Sequence, residues 1–267
     1  MRYRLELSYD GTTLNGWQIQ PSGKTVQGFL EAALKTLLRE DVGVTGAGRT
    51  DAGVNAIGYV AHFDTAAPLP MGAGDFLYKL NAITPPQIVI HSLCEVADDF
   101  HARFTANERE YSYFLHRRQD PFVDEYSYYL RIPLDVEKMN AAAQYLLGTH
   151  DFSCFEKTGS DNVSPVCTVT SALWSAYTPT HVSLLHYPAQ EGDYLMFRVT
   201  ANRFLRNMVR AIVGSLLEVG RGKREPEWIR ELIEGGATRS DAGESVPGHA
   251  LFLSKVGYPT DFSTSSK

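Results

Sequence analysis

The strongest constraint on the fold is an apolar helix pattern between residues 202 and 219. Its apolar side chains fall in two adjacent rows at i, i+4 spacing, which are Phe204, Met208, Ile212 and Leu216, and Leu205, Val209, Val213 and Leu217. A stripe of this width must be covered by a large core, so the pattern predicts a helix packed inside a folded domain. Arg203, Arg206 and Arg210 lie within about 60° of one another on the opposite side of the predicted helix. They form either a solvated basic face or, for one of them, the ion-pair partner of an aspartate at a sheet edge.

Alternating and helical patterns along the rest of the chain predict a mixture of strands and helices. Predicted strands cover residues 3–9, 57–64, 167–174, 181–186, 194–201 and 251–256, and predicted helices cover residues 26–38, 75–81, 136–147 and 202–219. Thr25 is predicted to cap the first helix, and Gly148 to follow the end of the third. The strands come in hairpins rather than in strict alternation with helices, which predicts an α+β architecture.

The order of these elements predicts two similar α/β halves, joined through a mainly antiparallel sheet with a central catalytic cleft. Residues 1–104 form the predicted N-terminal half, which carries an aspartate loop. Residues 105–259 form the predicted C-terminal half, which carries the basic helix, and residues 260–267 form a tail.

The composition is that of an ordinary folded protein, with 267 residues of which 43% are hydrophobic and 21% charged. No apolar stretch approaches the roughly 20 residues of a membrane-spanning helix, and the first residues lack the apolar core of a secretory signal. We therefore expect a cytoplasmic protein with no membrane association. The three cysteines form no C-x-x-C pair, so we expect buried thiols. The eight histidines form no H-x-x-H or H-x-x-x-H pair, so we expect no metal.

A net charge of −6 does not by itself favour a polyanionic partner, but the positive charges are clustered. The stretch HARFTANEREYSYFLHRR contains Arg103, Arg109, Arg117 and Arg118 between aromatic residues. Arginines among aromatic rings are what stacking on a splayed-out base and binding of phosphate require. We expect Phe104 to belong to the core, and Tyr111, which lies between charged residues, to belong to a site.

The segment GAGRTDAGV places Arg49 and Asp51 among glycines and small residues just before a predicted strand. Asp51 is either a turn residue or a carboxylate that the fold holds for chemistry, and the segment alone does not decide. A similar RSDAG sequence around Asp241 raises the alternative of an aspartic-protease dyad. The dyad is disfavoured because each of its loops needs a hydroxyl after the aspartate, and alanine follows both aspartates here.

Together these segments resemble the tRNA pseudouridine synthase A family almost from end to end. The motifs that carry the resemblance are YDGTTLNGWQ, GAGRTDAGV, FHARFTANEREYSY, GTHDF and ANRFLRNMVRAIVGSLLEVG. GRTDAGV is strongly specific for the family when the other motifs accompany it, although alone it would be weak evidence. The loop that contains Asp241 matches a non-catalytic family segment, AGESVPGHALFL. The resemblance implies the pseudouridine synthase fold with ferredoxin-like or RRM-like halves, a homodimer, tRNA as the partner and no cofactor.

By position, the resemblance implies that Asp51 is the catalytic aspartate, Tyr111 the active-site tyrosine and Arg210 the arginine that pairs with the aspartate. Arg49 matches an arginine that touches the RNA near its target. The implied reaction is isomerisation of uridine to pseudouridine at positions 38, 39 and 40 in the tRNA anticodon stem-loop.

The chain departs from the family pattern at two positions near the predicted site. Asn55 stands where the family usually has histidine, and Ile19 where it often has arginine. Both departures flank the three main site residues, so we expect them to affect RNA contact rather than activity.

Pseudouridine formation gains and loses no atom, so it requires no redox group, metal or ATP. An ionised Asp51 beside the Arg210 guanidinium could attack C1′ of the ribose, attack C6 of the base or support a glycal-type intermediate. The candidates for contact with the RNA backbone are Arg103, Arg203 and Arg206. The alternative function is a non-catalytic module of the same fold that binds or folds tRNA.

Overall fold

The computed structural model describes residues 1–21, 23–160 and 163–262, so residues 263–267 of the predicted tail lie outside the described residues. The chain divides into two compact units. The first comprises Met1–Arg109 and the chain from Leu253 onward, and the second comprises Glu110–Phe252. The predicted division into residues 1–104, 105–259 and 260–267 has different limits and stays a prediction.

The strands are β1 (Arg2–Tyr9), β2 (Val44–Gly46), β3 (Asn55–Asp64), β4 (Ile88–Val96), β5 (Glu108–His116), β6 (Tyr128–Tyr129), β7 (Gly148–Asp151), β8 (Val166–Ala176), β9 (Tyr194–Ala201) and β10 (Leu251–Gly257). The helices are α1 (Val26–Leu38), α2 (Ala73–Ile83), α3 (Val136–Gln144), α4 (Thr180–Leu185), α5 (Met208–Gly220) and α6 (Trp228–Glu234). Mixed helices and mainly antiparallel strands confirm the predicted α+β class.

In the first unit, β1 lies between β3 and β4 and pairs antiparallel with both. Leu5 of β1 stands opposite Ala61 on one side and Leu93 on the other, and it is fully buried. The short strand β2 also pairs antiparallel with β3, and β10 lies next to β3. Helix α1 begins at the predicted cap, where the Thr25 hydroxyl accepts a hydrogen bond from the Gly28 N–H at 3.3 Å.

In the second unit the strand order is β5-β9-β8-β7, and β6 pairs in parallel with β5. The strand β8 is antiparallel to both of its neighbours. Helix α3 packs against β8 and α5. Asn140 of α3 donates to the Trp174 carbonyl at 3.0 Å and accepts from its N–H at 2.8 Å, which joins the helix to the sheet.

Helix α5 differs from the prediction in its start and in its exposure. It begins at Met208 because Asn207 has a φ of 65°, a left-handed conformation that an α-helix cannot include. Arg203 and Arg206 therefore precede the helix. The prediction that they form a basic helix face with Arg210 is wrong. All but two residues of α5 are buried, so it is a core helix that is covered on every side.

Other segments also differ from the sequence predictions. Residues 181–185 lie in α4 rather than in a strand, and Leu184 and Leu185 are exposed. Helix α3 ends before the predicted residue 147, and Gly148, with a φ of 104°, begins β7. Helix α6 was not predicted. No helix in the described part of the chain is long and apolar enough to cross a membrane.

Candidate active site

The Asp51 loop, defined as residues 47–54, connects β2 to β3 in the first unit. The Val54 N–H donates to the Asp51 carbonyl at 3.2 Å, and Gly53 has a φ of 79° that closes the turn at no steric cost. The Gly53 N–H donates to the Leu14 carbonyl at 3.2 Å. The turn is thus closed on itself and joined to the segment between β1 and α1.

Two glycines of the YDGTTLNGWQ motif approach the Asp51 loop too closely for any side chain. A Cβ at Gly16 would lie 2.4 Å from the Thr50 carbonyl oxygen, and a Cβ at Gly11 would lie 2.0 Å from the Val54 carbonyl oxygen. The Trp17 N–H also donates to the Thr50 carbonyl at 3.2 Å. YDGTTLNGWQ and GRTDAGV, which are separate in the sequence, therefore form one packed substructure.

Buried side-chain hydrogen bonds hold the middle of the loop and the residue that follows it. The hydroxyls of Tyr9 and Thr50 lie 2.8 Å apart, next to Asp51 in the sequence. Asn55, which is 1% exposed, accepts a hydrogen bond from the Gly11 N–H at 2.7 Å. The departure at Asn55 thus contributes a buried contact to the loop.

Aromatic rings pack beneath the beginning of the loop. Trp17 stacks on Tyr59 with a centroid distance of 4.2 Å, and the Tyr59 hydroxyl donates to the Gly48 carbonyl at 2.5 Å. A Cβ at Gly46 would lie 2.1 Å from the Tyr59 hydroxyl oxygen. Because Gly46 has no side chain, there is room for the Tyr59 ring, whose hydroxyl holds the loop backbone at Gly48.

Arg109 is a positioning residue that the sequence did not reveal. Its Nη2 donates to the carbonyls of Ala47 at 3.0 Å and Arg103 at 2.6 Å, and its Nη1 donates to the Ala106 carbonyl at 2.8 Å. The guanidinium thus joins the start of the Asp51 loop to the FHARF segment. All three acceptors are backbone carbonyls, which leave no signal in a residue pattern.

Asp51 and Arg49 differ in exposure although they are only two residues apart. Asp51 is half-buried, whereas Arg49 is exposed and makes no hydrogen bond or ion pair within the described part of the chain. The fold thus holds the carboxylate in a fixed turn and leaves the guanidinium available to a ligand.

Tyr111 and Arg210 lie in the second unit. Tyr111 is half-buried in β5, where its ring makes an edge contact with Phe204 at a centroid distance of 5.1 Å. The Arg210 Nε donates to the Val246 carbonyl at 2.7 Å, and the Val246 N–H donates back to the Arg210 carbonyl at 3.3 Å. Burial raises the pKa of nearby Tyr113, an effect that the Arg210 guanidinium opposes, so this phenol stays protonated at neutral pH.

The AGESVPGHALFL segment holds Arg210 by packing directly on α5. A Cβ at Gly214 would lie 1.7 Å from the Glu244 carbonyl oxygen, and the Gly243 N–H donates to the Ser215 hydroxyl at 2.9 Å. Both glycines permit a close approach of two backbones. This segment therefore has a structural role in fixing the helix that carries Arg210.

Asp241, the second aspartate of the disfavoured dyad, stabilises its own turn. Its carboxylate accepts hydrogen bonds from the Thr238 N–H at 2.8 Å and the Thr238 hydroxyl at 2.7 Å. These hydrogen bonds hold the pKa of the exposed Asp241 carboxyl below its ordinary value. The geometry is that of a turn residue and does not favour a catalytic role.

The three candidates for contact with the RNA backbone lie in irregular segments. Arg203 is half-buried and Arg206 exposed in the loop before α5, and Arg103 is exposed in the first unit. Phe104 is 75% exposed, so the prediction of a core position for it is wrong. Its ring lies 4.3 Å from the His101 ring, and the Arg103 guanidinium lies 5.6 Å from its centroid.

The predicted site residues fall into two sets. Arg49 and Asp51 share one loop of the first unit, and Tyr111 and Arg210 belong to the second unit. The pairing of Asp51 with Arg210 stays a prediction.

The expectation of buried thiols holds for two of the three cysteines. Cys154 and Cys167 are buried, and burial raises the pKa of these thiols to about 12 and about 11. Cys94 is half-buried, and burial raises its pKa as well. Within residues 1–21, 23–160 and 163–262, no group of three or more His, Cys, Asp or Glu side chains could hold a metal ion.

Comparison with known proteins gives consistent similarities. The sequence model of a family described as tRNA pseudouridine synthase matches residues 142–259. The tRNA pseudouridine synthase A of Bacteroides fragilis is 45% identical over 261 residues, which is 97% of each chain. Proteins of the same name from Bacteroides thetaiotaomicron and Bacillus subtilis are 46% and 40% identical. They match 100% and 97% of this chain over 94% and 99% of their own lengths.

Proposed function

The chain belongs to the tRNA pseudouridine synthase A family, and on that premise we propose that Asp51 is its catalytic nucleophile. The enzyme isomerises uridine to pseudouridine in tRNA. The reaction breaks the bond between ribose C1′ and N1 of the base, turns the base and rejoins it through C5. It requires one nucleophile and a group that removes the C5 proton, and both are side-chain functions.

The observation that carries this proposal is the construction of the Asp51 loop. Thr50, the residue before Asp51, is held by two hydrogen bonds, one from its hydroxyl to that of Tyr9 and one from the Trp17 N–H to its carbonyl. After Asp51, the Gly53 N–H donates to the Leu14 carbonyl. Carboxylates that act as nucleophiles must be held close to the productive geometry, because a small displacement is costly in rate. A solvated turn would need none of these buried contacts.

Three routes are chemically open to Asp51. An ionised carboxylate can attack C1′ of the ribose, attack C6 of the base or stabilise a glycal-type intermediate after the base departs. We propose that Tyr111 stacks on the base and accepts a proton in the final steps, and that Arg210 pairs with the Asp51 carboxylate. The hydrogen bond from Arg210 to Val246 supports this role, because it fixes the guanidinium before substrate binds.

The target uridine must leave the base stack before a carboxylate can reach it, at a cost of a few kcal/mol. We propose that Arg49 occupies the vacated position or holds the phosphate of the flipped nucleotide. Its exposure supports this role, and so does its lack of a partner among the described residues.

The RNA partner calls for further basic contacts, which we propose to come from Arg103, Arg203 and Arg206. We also propose that the targets are positions 38, 39 and 40 in the anticodon stem-loop, and that the enzyme acts in the cytoplasm as a homodimer. Two ferredoxin-like or RRM-like halves around a catalytic cleft complete the proposed arrangement. The full-length similarity to tRNA pseudouridine synthase A proteins supports these statements.

The test is release of tritium from unmodified tRNA that contains 5-tritiated uridine. Asp51→Asn should abolish release while tRNA affinity persists, because phosphate contacts do not depend on this one charge. Asp241→Asn is the matched control, since it removes the same charge from the similar RSDAG sequence, and it should keep full activity.

Undiminished release by Asp51→Asn would refute the assignment of the nucleophile. Wild-type protein that binds tRNA and releases no tritium would instead support the alternative function, a non-catalytic tRNA-binding module.

A further inference from the structure

A cavity of about 510 Å³ lies in the second unit and shares no residue with the candidate active site. We call it the basic cavity. Its lining includes Arg117, Arg118, Tyr129, Arg131, Gln190 and Asp193. Arg117 and Arg118 are the last two residues of the stretch HARFTANEREYSYFLHRR. The proposed catalytic roles involve neither of them. The polar lining suits a charged ligand, whereas sites for apolar ligands are lined mainly by hydrophobic side chains.

The basic cavity has more positive than negative charge. Three arginines line it, and the single carboxylate, that of Asp193, already has partners. Its Oδ2 lies 3.7 Å from the Arg118 Nη1 and accepts a hydrogen bond from the Gln190 N–H at 2.7 Å. Arg131 is exposed and forms no ion pair within the described residues. The excess charge therefore favours an anion.

Two of the arginines are already held in position. The Arg117 N–H donates to the Asp193 carbonyl at 2.8 Å, which fixes the backbone at the base of its side chain. The Arg118 guanidinium donates to the Pro188 carbonyl and lies 5.5 Å from the centroid of the Tyr187 ring. Groups that are ordered before binding lose less conformational freedom when a ligand arrives.

Arg117 also carries an unsatisfied donor. Its Nε is buried and has no hydrogen-bond acceptor among the described residues. A buried N–H without an acceptor is unfavourable, and one on a charged group more so. The Arg117 guanidinium therefore lacks a full set of acceptors among the described residues.

We propose that the basic cavity binds a phosphate group. Guanidinium forks donate in pairs to phosphate oxygens, and the Tyr129 hydroxyl and the Gln190 amide add neutral donors. The volume is large enough for a phosphate together with an attached sugar. The group belongs either to the backbone of the tRNA substrate, in which case the inference rests on the proposed function, or to a free phosphate monoester.

The first experiment measures tRNA affinity against salt concentration for Arg131→Gln, Arg117→Lys and Arg230→Gln. Arg230 is the matched control, because it is an exposed arginine of the same unit that lies outside the basic cavity. A backbone phosphate predicts that Arg131→Gln lowers the slope of log affinity against log salt by about 1, and that Arg230→Gln does not. Arg117→Lys keeps the charge and loses the fork, so it should weaken binding severalfold with little change of slope.

The second experiment titrates inorganic phosphate into the wild type and Arg131→Gln at low salt by calorimetry. Binding to the wild type that is lost in the variant, together with an unchanged tRNA slope, supports a free monoester as the ligand. The proposal would be overturned if all proteins had the same salt slope for tRNA binding and the wild type bound no phosphate. It would also be overturned if Arg131→Gln and Arg230→Gln lowered the salt slope equally. Tritium release by the wild type tests the proposed function separately, so the two failures are distinguishable.

Discussion

The hydroxyl oxygens of Tyr9 and Thr50 lie 2.8 Å apart in a buried hydrogen bond that joins β1 to the residue before Asp51. Tyr9→Phe removes this bond and keeps the ring, so it should lower kcat about tenfold through imprecise placement of the carboxylate. The affinity for tRNA should not change. Single-turnover tritium release and a binding titration measure the two quantities.

Tyr3→Phe is the control for this prediction, because Tyr3 is a buried tyrosine of the same strand. Among the described residues its hydroxyl has one hydrogen-bond partner, the Met1 sulfur at 3.9 Å. It should leave kcat unchanged. If both variants lost the same fraction of kcat, the effect would belong to the strand rather than to the Asp51 loop.

Gly16→Ala tests whether the Asp51 loop depends on the close approach of the YDGTTLNGWQ motif. Gly16 has a φ of 83°, and its Cβ would lie 2.4 Å from the Thr50 carbonyl oxygen. The strained conformation and the clash should lower the free energy of unfolding by roughly 1–3 kcal/mol, as measured in urea. Gly43→Ala, where a Cβ meets no atom within 4 Å, should change it far less.

His62 should make stability depend on pH in the acid range. Its side chain is 4% exposed, and burial, with the nearby Arg2 charge, lowers its pKa to about 4. An unfolded histidine titrates near pH 6.5, so between pH 6.5 and pH 4 the unfolded chain binds a proton that the folded chain does not. Stability should therefore fall as the pH falls through this window, by at most about 3 kcal/mol from this residue.

The variant for this test is His62→Gln, compared with the exposed His91→Gln. Urea unfolding at several pH values should give a flatter dependence for His62→Gln than for the wild type. His91→Gln should follow the wild type. Parallel curves for all three proteins would show that His62 is protonated equally in the folded and unfolded chain.

Phe104 presents an exposed ring between His101 and Arg103, as expected of a surface on which a base stacks. Phe104→Ala should weaken tRNA binding by roughly 1–3 kcal/mol with little effect on stability. Tyr78→Ala is the control, because Tyr78 is 76% exposed in the same unit and lies outside the basic segments. Equal affinities of the wild type and Phe104→Ala would exclude a stacking role.

Elements that depend on neighbouring residues were predictable. The alternation in β1, the Thr25 cap and the apolar face of α1 all follow from residues within a few positions of one another. The start of α5 was not predictable in this way. It depends on Asn207, whose left-handed backbone accompanies a hydrogen bond from its side chain to the Ser245 hydroxyl at 2.6 Å, 38 residues away.

The same distinction between neighbouring and distant residues applies to the candidate site. GRTDAGV and its resemblance to a known family make Asp51 and Arg49 candidates, because residue type and local spacing carry that information. No residue pattern indicates that Arg109 binds three backbone carbonyls. The sequence analysis also predicted a core position for Phe104, which the fold exposes.

By itself, then, the sequence determined the secondary-structure class, the family and the identity of the proposed nucleophile. Only the tertiary structure decided how Asp51 is held, because its loop is fixed by Tyr9, Gly11 and Gly16 from another segment. The physical reason is range: propensity and periodicity act over a few residues, whereas the hydrogen bonds and close contacts that position a side chain join segments that only folding brings together.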